Sequence, residues 1–138
     1  MGEDHEVFEF RATLADLAEG LDVLHRSIDD LRDAMSRGPG DVPLMQFETA
    51  LAEIGGNALT HSGASAEKPV EYVLRSDTTR VVAWIVDPGP QVNGAWIRDM
   101  PAATSESGRG LPLARLLLDE LDYERVGGRN KWRLVKRL

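Results

Sequence analysis

The chain has 138 residues, with 42% hydrophobic and 28% charged side chains and a formal net charge of −7. That length suffices for one domain with a sizeable core. The absence of cysteine removes disulfides, thiolate metal sites and cysteine nucleophiles. No apolar run reaches the roughly 18 residues a membrane span needs, and an acidic body repels nucleic-acid phosphates, so neither a membrane nor direct nucleic-acid binding is expected.

The N-terminal Met1-Gly2-Glu3-Asp4-His5-Glu6 is acidic and lacks an apolar core segment. It argues against a signal peptide, and a cytoplasmic location is expected. Residues 1–6 read as a disordered tail. Val7 to Ala12 alternates, with Phe8, Phe10 and Ala12 on one side, as in a half-buried strand. A long helix is predicted from about Leu14 to Arg37. Its apolar positions Leu14, Leu17, Leu21, Leu24, Ile28, Leu31 and Met35 form a heptad seam. The seam serves either packing along the chain's own sheet or a subunit contact. Gly38-Pro39-Gly40 ends it.

Asp41 can cap a second helix that runs to about His61 and stops at Ser62-Gly63. Glu53, Asn57 and His61 recur at steps of four, so they lie about 40° apart around the helix and form one stripe. Phe47, Ala50, Leu51, Ile54 and Ala58 make the adjoining apolar face, which puts the stripe at the rim of a buried surface. A carboxylate and an amide there can bind hydrated Mg²⁺, position phosphates or move a proton. An ordinary polar helix edge would look the same.

Val70 to Arg75 and Arg80 to Val86 read as strands around Asp77-Thr78-Thr79, the second so apolar that a central place in a sheet is expected. Asp87-Pro88-Gly89-Pro90 breaks it. Residues 88–107 show no period, and a loop of that length in a small domain is either functional, such as a lid, or disordered. Gly108-Arg109-Gly110-Leu111 opens a helix predicted to reach about Leu121. Tyr123 to Val126 and Lys131 to Arg137 then read as a hairpin around Gly127-Gly128-Arg129-Asn130. The terminal run Arg125, Arg129, Lys131, Arg133, Lys136, Arg137 is either the solvated face of that hairpin or a partner patch.

Three of these elements follow in order, each with a physical use at a nucleotide site. After the stripe comes Asp87 at a strand end, able to accept a hydrogen bond from an exocyclic amine. Gly89 follows, with no side chain to keep backbone from a flat base. Glycines ahead of a helix then expose N–H groups where the helix dipole favours phosphate, although turn glycines capping a helix would give the same Gly-x-Gly.

The ordered set resembles the N, G1 and G2 boxes of the GHKL (Bergerat-fold) ATPases. Within that superfamily it is most similar to the small anti-sigma-factor serine/threonine kinases, the RsbW/SpoIIAB-like group. The likeness rests on Ala50 to His61, Gly108 to Arg115 and Trp132 to Leu138, and spans about residues 8 to 138. It implies a single α+β domain over 1–138, a two-layer α/β sandwich whose mixed, mostly antiparallel sheet is covered on one face by three helices, with a lid at 88–107. It implies ATP and Mg²⁺ as cofactors. Glu53 would be the general base and Asn57 the Mg²⁺ ligand. Asp87 would bind the adenine amino group, Gly89 would line the base, and Gly108, Arg109, Gly110 and Leu111 would hold the phosphates. It further implies a homodimer that sequesters a sigma factor and phosphorylates an anti-sigma-factor antagonist. Two departures stand out: Gln91 replaces the second glycine of the G1 box, and Pro88 and Pro90 flank Gly89. With no lysine between Lys68 and Lys131, phosphate charge falls to Mg²⁺, backbone donors and Arg98 or Arg109. The departures favour the alternative, a non-catalytic interaction module of the same fold.

Overall fold

The computed structural model describes residues 8–92 and 110–138. Five strands and three helices follow one another as β1 (Phe8–Leu14), α1 (Leu17–Ala34), α2 (Val42–His61), β2 (Val70–Ser76), β3 (Arg80–Asp87), α3 (Gly110–Leu117), β4 (Glu120–Val126) and β5 (Arg129–Arg137). The strands form one sheet in the order β1-β2-β3-β5-β4. Every pairing is antiparallel, so the sheet expected to be mixed has no parallel pair among the described residues. The helices cover one face, with α2 between α1 and α3. This is the expected α+β two-layer sandwich.

Alternation sets the sheet's inner face. Phe8, Phe10, Ala12 and Leu14 of β1, Val70, Tyr72 and Leu74 of β2, and Val81, Ala83 and Ile85 of β3 turn toward the helices and join one core with Leu24, Ile28, Leu31, Phe47, Leu51 and Ile54. Leu14 is a strand residue, not the first turn of the predicted helix. The Asp16 carboxylate accepts a hydrogen bond from the Glu19 N–H at 2.9 Å, which fixes the helix start behind it. Asp41 caps α2 in the same way through the Leu44 N–H at 3.0 Å. At its far end Gly63 takes φ +71°, a left-handed conformation that favours glycine. The seam of α1 is mostly used internally: Leu24, Ile28 and Leu31 are buried, and Leu17 is left exposed.

The last third departs from the predicted boundaries. Helix α3 stops at Leu117, where Lys136 donates its ammonium to the Leu117 carbonyl at 2.8 Å. Leu121 belongs to β4, which alternates in register with β5 from Glu120 onward. Gly127 and Gly128 alone form the turn, at φ +58° and +75°. Two consecutive positive φ values make the turn that suits the twist of a hairpin. Arg129 and Asn130 are therefore strand residues.

Much of the basic run is engaged within the chain. Arg133 meets Glu120 and Asp122, each at 2.9 Å, Arg129 pairs with Glu71, and Arg125 turns inward. The N-terminal tail and most of the 88–107 loop, with Trp96 and Arg98, lie outside the described residues.

Two small residues bring α1 and α2 together. A methyl on Gly20 would lie 2.5 Å from Leu59 Cδ1, and one on Gly55 would lie 2.5 Å from Leu24 Cδ1. At the next residue, Gly56, the nearest atom would be Leu21 Cδ2 at 3.8 Å, an ordinary contact. Gly56→Ala is accordingly expected to stabilise the protein by about 0.5–1 kcal/mol through helix propensity. Gly55→Ala is expected to destabilise it by about 1–3 kcal/mol through overpacking. Urea titration of both variants checks the order, and a stabilising Gly55→Ala would contradict this packing.

Candidate functional site

Helix α2 carries its polar stripe along the edge of the core, as the spacing predicts. Glu53 and Asn57 are half-buried. The Glu53 carboxylate has no hydrogen-bond or ion-pair partner among the described residues. The Asn57 side-chain nitrogen is buried and also unpartnered. An amide can be turned over to exchange its donor and acceptor ends, so this position offers either. His61 is exposed and makes no hydrogen bond among the described residues, which removes the backbone contact a helix-end histidine often has.

Asp87 ends β3, and its residue is 3% exposed. Its partner across the sheet is Asn130, paired in register, and Asn130 is in turn paired with Arg125 of β4. The three side chains form a row across three strands on the helix side of the sheet. Asn130 donates from Nδ2 to Asp87 Oδ1 at 3.0 Å and to the Pro90 carbonyl at 2.8 Å. The Gly89 N–H donates to the same Asp87 oxygen at 2.8 Å. Arg125 donates to the Gly89 carbonyl at 2.7 Å and to Asn130 Oδ1 at 3.0 Å. The Tyr123 hydroxyl donates to Asn130 Oδ1 and accepts from the Val92 N–H at 2.9 Å. Asp87 Oδ2 has no partner among the described residues.

Gly89 packs against the end of α2. A side chain there would place Cβ 2.8 Å from Ser62 Cα and 2.9 Å from Asp87 Oδ1. The glycine is thus needed for this close approach, besides any room it leaves for a flat ligand. Ser62 is the residue that closes α2, and its hydroxyl is buried without a partner among the described residues. Gln91 is exposed. Gly110 and Leu111 begin α3, so a helix N-terminus stands where the phosphates were expected, while Gly108 and Arg109 lie outside the described residues.

The structure therefore joins Glu53, Asn57, Ser62, Asp87 and Gly89 along α2 and the end of β3. Ser62, Tyr123, Arg125 and Asn130 were not expected in this region. Reading Gly127-Gly128 as the whole turn would have found Asn130, because it then shares the inward parity of Trp132 and Leu134. Leaving a buried polar atom unpaired costs about 1–3 kcal/mol. Asn57 and Ser62 each carry such an atom on α2 and its cap, and Ser62 packs on the Gly89 turn that also bonds Asp87, whose second oxygen is unengaged among the described residues; these are donors and acceptors suited to a polar ligand. Among the described residues no three His, Asp or Glu side chains converge into a metal cage. A cation held by one protein amide together with phosphate oxygens and water needs none.

The family model of the histidine kinase-like ATPase domain matches residues 9–136. The chain belongs to the histidine kinase-like ATPase domain family. No curated protein matches the chain. As a member of this family the protein is an ATP-binding domain of the GHKL type. Its matched region holds the whole sheet but the outermost residues, all three helices and every residue of the network around Asp87. No helix among the described residues is long and apolar enough to cross a membrane.

Gly89→Ala is expected to destabilise this ATPase domain by about 1–3 kcal/mol, the scale for overpacking, because the atom in the way is backbone. Denaturant titration checks it. An unchanged midpoint would show that α2 and the Gly89 turn are not held this closely.

Proposed function

We propose that the protein is an ATP-dependent serine/threonine kinase of the anti-sigma-factor type. The observation that carries this reading is Glu53, a half-buried carboxylate without a partner among the described residues, one helical turn before Asn57, whose buried side-chain nitrogen is likewise unpartnered there. In this reading Glu53 takes the proton from a substrate Ser or Thr hydroxyl as its oxygen attacks the γ-phosphorus, and ADP leaves. Asn57 would hold Mg²⁺, which when bound neutralises phosphate charge. Asp87 would accept a hydrogen bond from the adenine amine through Oδ2. Gly110 and Leu111, with Gly108 and Arg109 before them, would meet the phosphates. Positioning and charge neutralisation supply most of the rate in such transfers.

The substrate would be an anti-sigma-factor antagonist, and the sequestered partner a sigma factor. Exposed Asp16, Glu19, Asp22, Asp29, Asp30 and Asp33 on and before α1 give an acidic surface that fits a basic partner. The homodimer rests on the resemblance, since the α1 seam leaves only Leu17 exposed for a subunit contact. The second reading is a non-catalytic interaction module. The departures at residues 88–91 favour it, yet Gln91 is exposed.

Three variants separate the roles. Glu53→Gln is expected to keep ATP binding and to cut phosphate transfer by roughly 10²–10⁴-fold, the scale of general-base catalysis. Asn57→Ala is expected to weaken Mg²⁺-dependent binding as well. Asp87→Asn is expected to weaken ATP by about 1–3 kcal/mol, because an amide nitrogen would face the adenine amine. Radiolabel transfer to an antagonist and calorimetry are the measurements. Wild type that binds ATP but labels no antagonist supports the interaction module instead.

A further inference from the structure

We propose that Asn130 is a positioning residue for nucleotide recognition: it orients the Asp87 carboxylate so that one oxygen alone is left to read the amino group of the base. This rests on the adenine role proposed for Asp87. Asn130 does not reach the ligand in this arrangement; it acts through its cross-strand neighbour.

The amide of Asn130 is fully used. Its nitrogen donates to Asp87 Oδ1 at 3.0 Å and to the Pro90 carbonyl at 2.8 Å. Its oxygen accepts from Arg125 at 3.0 Å and from the Tyr123 hydroxyl. Turning the amide over would point its NH₂ at a guanidinium, which has only donors. Its orientation is therefore dictated by the neighbours. Asn130 is 2% exposed, and four hydrogen bonds hold it from four directions.

The consequence falls on Asp87. Oδ1 accepts from both Asn130 and the Gly89 N–H at 2.8 Å. With that oxygen engaged twice, the carboxylate cannot rotate without breaking two bonds. Oδ2 is left as a fixed acceptor, which suits a base with an exocyclic NH₂ at the reading position and opposes one with a carbonyl there. The same hairpin also grips the turn after β3: Arg125 takes the Gly89 carbonyl at 2.7 Å, Asn130 the Pro90 carbonyl, and Tyr123 the Val92 N–H at 2.9 Å. A residue that only pinned this turn would support every nucleotide equally. A residue that orients Asp87 would support only those carrying the amine.

That difference is measurable. Asn130→Asp keeps the oxygen that faces Tyr123 and Arg125 and replaces the donor to Asp87 and to the Pro90 carbonyl with an acceptor, while Arg125 and Tyr123 still hold the turn through Gly89 and Val92. Calorimetry on the full chain compares ATP with purine riboside triphosphate, which has hydrogen in place of the amine. In Asn130→Asp the affinity for ATP is expected to fall by about 10–100-fold, the scale of a hydrogen bond to a charged group, and that for the analogue to change by less than about threefold. Tyr123→Phe keeps its ring, 4.8 Å from that of Trp132, and loses only the hydroxyl that steadies Asn130. It is expected to show a smaller loss with the same bias toward ATP, and it carries the test should Asn130→Asp fail to fold. Equal losses for both ligands, or no loss for ATP, overturn the positioning role while leaving the nucleotide site in place. Wild type that binds ATP and the analogue equally tightly overturns the adenine role of Asp87 and this inference with it. Wild type that binds neither overturns the nucleotide reading itself.

Discussion

A carboxylate at the buried end of the central strand is the constraint around which this ATPase domain is arranged. Asp87 is 3% exposed, and a buried charge is tolerated only where hydrogen bonds replace water. The replacement comes from Gly89 in the following turn and from Asn130 across the sheet. Each in turn imposes something on its surroundings. The Asn130 bond requires β5 to lie beside β3 in the register that sets 87 opposite 130. That register needs the β4–β5 hairpin to turn on two residues, which Gly127 and Gly128 permit. Tyr123 and Arg125 of β4 then complete the shell by saturating the Asn130 oxygen.

Helix α2 is brought to the same place by backbone contact. Gly20 and Gly55 let α1 and α2 approach until Leu59 and Leu24 fill the space a methyl would take. Gly89 lets the end of α2 rest on the turn after β3, with Ser62 as the contact. Glycines thus set α2 at both of its neighbours, against α1 at Gly20 and Gly55 and against the turn beside Asp87 at Gly89. Precision of this kind suits phosphate transfer, where small displacements of the reacting groups are costly.

The order and type of the elements were legible because periodicity survives wherever one face is buried. The alternation in β1, the apolar run of β3 and the Asp41 cap of α2 all lie where hydrophobic pattern and capping agree. The Glu53–Asn57 step and Asp87 were legible for a related reason: polar residues at the rim of an apolar pattern stand out. The start of α1 was misplaced because Leu14 fits both the strand alternation and the helical seam, and only the Asp16 cap decides between them. The end of α3 was misplaced because Leu121 continues a leucine-rich helix as plausibly as it begins a strand. Asn130 stayed hidden because an asparagine beside two glycines reads as a turn. Its hydrogen-bond partner Asp87 lies 43 positions away in sequence, and single-chain periodicity carries no information about such pairs.

The charge of the molecule divides in a similar way. The basic residues of the last hairpin are largely engaged with neighbouring acids and carbonyls, whereas the acids of α1 face solvent. In the proposed reading the end of β3 and the polar edge of α2 together form the ATP site. An amide-resolved NMR titration with ATP and Mg²⁺ tests it most directly. The account predicts that the Gly89 backbone amide and the side-chain amides of Asn57 and Asn130 shift together, while the indole of Trp84 on the opposite face of the sheet stays in place. Shifts that cluster around Trp84 and leave Gly89, Asn57 and Asn130 unmoved would contradict it.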